Sequence, residues 1–302
     1  MLDILIRAGC FVAIIILGYV LRRTGFFGPE TFGVLSKVVI KITLPAAILA
    51  SSAGKPIDAS MLTLALLGLG GGVIYMTAGW LLRRKHSRAE MAFDMLNLPG
   101  YNIGTFALPF TQSFLGPVGV LTTSLFDVGN SFVCLGGSFG VCRAVKEGGR
   151  VDVKRMLKAP LTSIPFLTHV VMVFLNLNSL TPPKAIVSFA EILGNANAFL
   201  AMLMIGVGFK LSGDRSKLGA MVRILSVRFG IAAILAACYY FLLPFDLEVR
   251  QTLVILAFSP IGSAIPVFTA ELKEDVGLSS AINSVAIVIS IVIIVTLLMV
   301  ML

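Results

Sequence analysis

The feature that most limits the fold of this chain is its division into successive apolar runs separated by short charged or Pro/Gly-rich breaks. A bilayer core takes ~20 mostly apolar residues per helix, and a helix satisfies its own backbone hydrogen bonds there. Ten such units fall near 4–21, 31–52, 60–82, 89–112, 117–142, 157–177, 185–210, 219–243, 249–271 and 277–301. Of the 302 residues, 57% are hydrophobic and 13% charged, with mean hydropathy +0.98. So few charges cannot cover a soluble core of this size, and disordered chains are polar. The reading is an all-α polytopic membrane protein.

The net charge of +9 would suggest a nucleic-acid partner in a soluble protein. Here most basic residues lie in short segments between apolar runs, so no nucleic acid is expected. Alternate loops with their bordering helix ends hold seventeen Lys and Arg, from Arg22 and Arg23 through Arg83–Arg88, Arg143–Lys158 and Lys210–Arg223 to Lys273. The other set holds four: Arg7, Lys55, Lys184 and Arg250. The positive-inside rule then places both termini outside. The run Cys10–Leu21 is followed by Arg22-Arg23 rather than a small-residue cleavage site, so it reads as a retained span. Cys10, Cys134, Cys142 and Cys238 fall in or at the end of apolar runs without metal spacing, so buried free thiols and no metal site are expected.

Two segments carry unusual Pro and Gly: LNLPGYNIGTFALPF (96–110) in span four and AFSPIGSAIPVF (257–268) in span nine. Pro99 and Pro260 lie 161 positions apart, Pro109 and Pro266 157. LPAAIL (44–49) in span two and LAMLMI (200–205) in span seven echo each other at nearly the same offset. Five spans separate the copies, and an odd number inverts one half relative to the other. The expected organisation is a five-helix repeat over 1–142, a cytoplasmic linker over 143–156, and an inverted five-helix repeat over 157–302. Proline in a helix removes an N–H and clashes with the preceding turn, and in lipid such a break survives inside protein or beside a wet cavity. Paired breaks in corresponding spans point to a transporter's substrate site. The breaks are carried by Pro99, Gly100, Gly104, Pro109, Pro260, Gly262 and Pro266.

YNIGTFALPF followed by LGPVGVLTTSLFDVGNSF resembles a conserved-order block of the auxin efflux carrier family, and KITLPAAIL, LGNANAFLAMLMIGVGFKL and SPIGSAIPVFTAEL … AINSVAIVIS resemble three further blocks in order. The resemblance covers almost the whole chain. It implies five plus five inverted spans with spans four and nine crossing at mid-membrane, and secondary transport of small organic anions. The short 143–158 segment resembles a bacterial-type permease rather than the long-looped plant members. Two departures, Ala198-Phe199 in span seven and Ala107 before Leu108-Pro109, bear on pocket shape.

Asn102 follows the Pro99-Gly100 break, where it can cap the half-helix beyond it and meet an anion at that helix's N–H groups. Tyr101 either bonds an anion or packs against a neighbour. Ser263, with Gly262, holds the analogous place in the second copy, as a ligand contact or a back-bonded helix serine. Asp127 and Asn130 share one face of span five. Asn130 matches the family's span-five Asn and is expected to contact substrate. Asp127 is either a proton-coupling site or the partner of Arg228 or Lys41 in an ion pair. Asp94 and Glu191 are further acids in spans, read more readily as solvated than as proton sites. Lys41 either supplies positive charge to an anion or snorkels beside Lys37. Gly68 and Gly70 to Gly72 are expected to allow close helix packing.

The expectation is a secondary transporter working by alternating access, not an enzyme, since no His-Glu-x-x-His motif is present. A sensor, a channel or a carrier of neutral amino acids on the same fold are the alternatives. No cofactor is expected. The expected partners are a small organic anion, the lipid bilayer and, as options, protons and a second copy of the chain. The expected location is a bacterial inner membrane.

Overall fold

The computed structural model describes residues 2–55, 57–210 and 215–302. All of its regular structure there is helical. Span one is α1 (Leu2–Arg23). Span two joins α2 (Thr31–Val38) and α3 (Leu44–Ser52) through the π-helical turn Val39–Thr43. There follow α4 (Thr63–Arg83), α5 (Arg88–Asn97), α6 (Leu108–Phe114), α7 (Gly116–Phe132) and α8 (Ser138–Glu147). The rest comprises α9 (Val153–Lys158), α10 (Ile164–Leu177), α11 (Lys184–Asn195), α12 (Asn197–Gly208), α13 (Leu218–Leu242), α14 (Leu247–Ala257), α15 (Ile265–Glu271) and α16 (Val276–Met301).

Among the described residues, seven helical units are long and apolar enough to cross a membrane. They are Leu2–Arg23, Thr31–Ser52, Ser60–Arg83, Gly116–Glu147, Lys184–Gly208, Leu218–Leu242 and Val276–Met301, each within a few residues of an expected span. The eighth candidate is a pair, Val153–Thr162 and Ile164–Leu177, bent by 79°. Pro160 and Pro165 flank Ser163, which sits in extended backbone, so the expected continuous span 157–177 turns sharply there. The segments expected as spans four and nine are each divided into two short helices, α5 with α6 and α14 with α15. Helix α8 runs past position 142 to Glu147 and stops at Gly148, whose φ of +71° suits a glycine helix end.

Close helix pairs are set by glycine. A Cβ at Gly18 would lie 2.4 Å from the Leu203 carbonyl oxygen, and one at Gly206 2.0 Å from that of Ile15, so α1 and α12 touch backbone to backbone. The same reciprocity joins α4 to α7, with Gly68 against Phe126 O at 2.1 Å and Gly129 against Ala65 O at 1.7 Å. Of the expected cluster in α4, Gly68, Gly71 and Gly72 all face neighbours, whereas Gly70 opens onto empty space. Helices α1, α2, α3, α10, α11 and α12 pack together, while α4, α5, α7, α8 and α13 to α16 share a larger core around Tyr75, Leu96, Phe126 and Ile282. Large apolar side chains such as Ile16, Phe189, Ile234 and Val292 are exposed on the outside, as lipid requires.

Polar clusters fix the helix ends. Ser87 and Glu90 form a reciprocal capping box at the start of α5. At α16, Asp275 caps Leu278 N–H at 2.9 Å and pairs with Lys217 at 2.5 Å. The hydrogen bond from Lys217 holds the Asp275 carboxyl below its usual value. Its stabilising effect is therefore full above the unfolded carboxylate's pKa and is lost as pH falls through the lower folded value. Acidification below about pH 4 should lower the protection factor of the Leu278 amide; flat protection across the acid range would remove Asp275 as the cap.

Candidate functional site

The first break begins where α5 ends at Asn97. Gly100 takes φ +81°, and a Cβ on it would lie 2.7 Å from Cys134 Sγ, so both conformation and space call for glycine. The chain re-enters helix through the π-helical turn Ile103–Ala107, closed by Ala107 N–H on Asn102 O at 3.1 Å. Gly104 lies against Leu44 there, and Pro109 sits in the first turn of α6, where its missing N–H costs little. The second break runs from Phe258 to Ala264, and Pro266 opens α15 in the same manner. The two breaks touch: Asn102 N–H donates to Pro260 O at 2.9 Å.

Arg228 of α13 holds both breaks. It is 1% exposed, and its guanidinium donates to the carbonyls of Leu98, of Gly100 at 2.9 Å and of Ser259 at 2.7 Å. It also lies 5.0 Å from the Tyr75 ring centroid and 5.7 Å from that of Tyr101. These are the carbonyls that proline and loop backbone leave without helical partners, and a planar fork of donors reaches several at once. The sequence offered one signal for this role, a single Arg in the middle of an apolar run.

Asn130 brackets the first break. Its Oδ1 accepts from Tyr101 N–H at 3.0 Å, and its Nδ2 donates to Tyr101 O at 2.9 Å and to Asp127 Oδ1 at 2.8 Å. The amide of Asn130, expected to contact substrate, is taken up in this structure by the Tyr101 backbone and Asp127. Tyr101 is 1% exposed, packed edge-on against Tyr75 and Phe126, with Gly71 leaving room for its hydroxyl. Of its two readings the packing one fits. Asp127 pairs with neither Arg228 nor Lys41; its second oxygen faces His169 Nε2 at 3.5 Å.

The remaining charged candidates lie apart from the crossover. Asp94 is buried rather than solvated, its oxygens taken by Arg83 Nε at 3.1 Å and Arg223 Nη2 at 3.0 Å, which ties α4, α5 and α13 together. Glu191 is exposed on α11, and Lys41 is exposed on the π-helical turn of span two.

A cavity of about 370 Å³ adjoins the crossover between the two groups of helices. Asn102, Ser263 and Pro266 form its crossover side, and Met204, Ile205, Gly208 and Phe209 of the α12 end, with Phe32, form another. Asn283 and Ser284 of α16 complete its polar lining, and Arg22 and Lys210 add positive charge. Asn102 does not cap the half-helix with its side chain as expected; its Oδ1 instead accepts from Thr105 Oγ1. Asn283 Oδ1 is buried with no hydrogen-bond partner, a residue that sequence reasoning passed over inside an apolar span. Tyr101, Asn130, Asp127 and Lys41 are not among the lining residues.

Broken helices that meet inside an apolar helical protein, beside a polar-lined cavity, are a construction that membrane transporters use for a substrate site. Residues 10–141 match the model of the membrane transport protein family, the family that includes the auxin efflux carriers. That family consists of transporters, not enzymes. No curated protein matches the chain.

Proposed function

We propose that the protein is a secondary transporter that moves a small organic anion, a carboxylate, by alternating access at the cavity beside Asn102 and Ser263. In this reading the chain crosses the membrane ten times as two inverted five-helix repeats, 1–142 and 157–302, with the broken pairs α5–α6 and α14–α15 as spans four and nine. Both termini lie outside, in a bacterial inner membrane. The single observation that carries the proposal is the meeting of the two breaks at a cavity whose charged lining residues, Arg22 and Lys210, are both cationic. The cavity lies between the two helix groups, so a shift of one against the other would expose it to alternate sides.

The test is charge movement in proteoliposomes challenged with malate, malonate, indole-acetate and neutral amino acids. Saturable current for a carboxylate is expected. Asn102→Ala should reduce it about tenfold or more, the loss of one good contact to a charged ligand, with normal insertion and thermal stability. Unchanged flux in that variant removes Asn102 from the site. Non-saturating flux would identify a channel, and binding without flux a sensor.

A further inference from the structure

Asp127 and His169 lie outside the cavity lining, yet they are joined to it by an unbroken run of polar contacts. Asp127 Oδ2 is 3.5 Å from His169 Nε2, and the buried His169 Nδ1 has no hydrogen-bond partner. Asp127 Oδ1 accepts from Asn130, whose amide grips both backbone groups of Tyr101, the residue before Asn102. The run therefore leads from α10, which packs on α3, through α7 to the crossover. The Asp127 side chain keeps 12% of its surface accessible, against 3% for His169, which leaves the pair a route for a proton.

The charged and titratable neighbours of the pair are few. Cys134 lies one turn beyond Asn130, Tyr101 lies in the break, and Tyr75 of α4 and Arg228 of α13 stand around the Tyr101 ring. Helices α3 and α6 contain no ionisable residue, and those of α14, Glu248 and Arg250, lie in its first turn with Arg250 bonded to Tyr240 O. The π-helical turn Val39–Thr43, which packs on α10, carries the exposed Lys41, so the fixed charges around the pair are Arg228 and Lys41, and the variable charge is the Asp127–His169 pair.

We propose that the Asp127–His169 pair is a proton site whose charge sets the affinity of the crossover cavity for an anion; the inference rests on the anion-transport reading above. Without the proton the pair carries one negative charge, which repels an anion held at Asn102, one residue beyond the Tyr101 backbone that Asn130 grips. With the proton, carried by the pair as a unit, it is neutral and that repulsion is gone, leaving the cationic lining residues Arg22 and Lys210 to attract the ligand. Proton binding therefore tightens anion binding, and by linkage anion binding draws a proton onto the pair.

The experiment uses the full chain in lipid nanodiscs, with radiolabelled indole-acetate as the probe because it stays ionised across the range. Wild type should bind it on the order of tenfold more tightly at the lower of two pH values, both chosen above the probe's own carboxyl pKa, than at the higher, and take up a proton on binding in weakly buffered solution. Asp127→Asn keeps the hydrogen bond from Asn130 but cannot become negative, so it should bind tightly at both pH values. His169→Gln leaves a lone carboxylate and should bind weakly at both. Opposite shifts in the two variants support the pair as the switch; loss of affinity in both, or a pH-independent wild type, overturns it. Infrared pH-difference spectra without any anion supply a second arm. Absence of a protonation band that depends on Asp127 and His169 overturns the proton site. A band present with no anion binding at either pH overturns its link to an anion and the transport reading together, while the proton site stands.

Discussion

Arg228→Met should cost the protein at least about 3 kcal/mol and abolish transport. The methionine fills much of the same volume, so the loss falls on the hydrogen bonds. Three carbonyls, those of Leu98, Gly100 and Ser259, would be left without donors in a site that excludes water. Each buried orphan costs about 1–3 kcal/mol, more where the lost donor was charged. Both breaks lose their clamp together, so the effect should be seen as cooperative loss of the folded peak in heated detergent samples. Arg228→Lys keeps the charge but offers a point donor in place of a fork, and should fall between the two. Wild-type thermal stability in the Met variant would show that the carbonyls are satisfied some other way.

Gly129→Val is the second large effect. The new Cβ would lie 1.7 Å from the Ala65 carbonyl oxygen, and backbone cannot swing aside as a flexible side chain can. Helices α4 and α7 would have to separate, undoing the contact of Gly68 with Phe126 O as well. The cost should reach or exceed the upper end of the usual ~1–3 kcal/mol for overpacking. The natural control is Gly70→Ala on the facing helix α4, where nothing lies within 4 Å of the new Cβ. That change should be neutral or stabilising by up to about 1 kcal/mol through helix propensity. Monodisperse elution after mild heating separates the two, and equal behaviour would contradict the packing.

These two cases show how far the sequence reaches. The Gly68–Gly72 cluster was legible as a packing face because small residues at helical spacing in an apolar run have few other uses. Which glycine bears the contact was not legible, since that depends on the axis of a helix sixty residues away. The Pro99-Gly100 and Pro260–Gly262 breaks were likewise legible, because proline's effect on its own backbone is local. Asn102 and Ser263 follow directly from those breaks and do line the cavity. Tyr101 was drawn into the site by nearness to the break and Asn130 by its match to the family's span-five Asn, but the Tyr101 ring packs in the core and the Asn130 amide binds the backbone of Tyr101.

Length, apolar runs and the placement of Pro and Gly decided that this chain would be helical, membrane-embedded and broken at two points. Each of those properties comes from residues acting on their own stretch of backbone or on the surrounding solvent. Only the tertiary structure decided where the freed carbonyls find donors, which acid faces which base, and which polar side chains reach the cavity. Arg228 lies 128 residues from Gly100 in the chain, and Asp127 turns to His169 instead of to the arginine. Such pairings depend on distances between helices that no local pattern encodes, and in lipid the backbone carbonyls freed at a break have no water to turn to, so their donors must come from other helices.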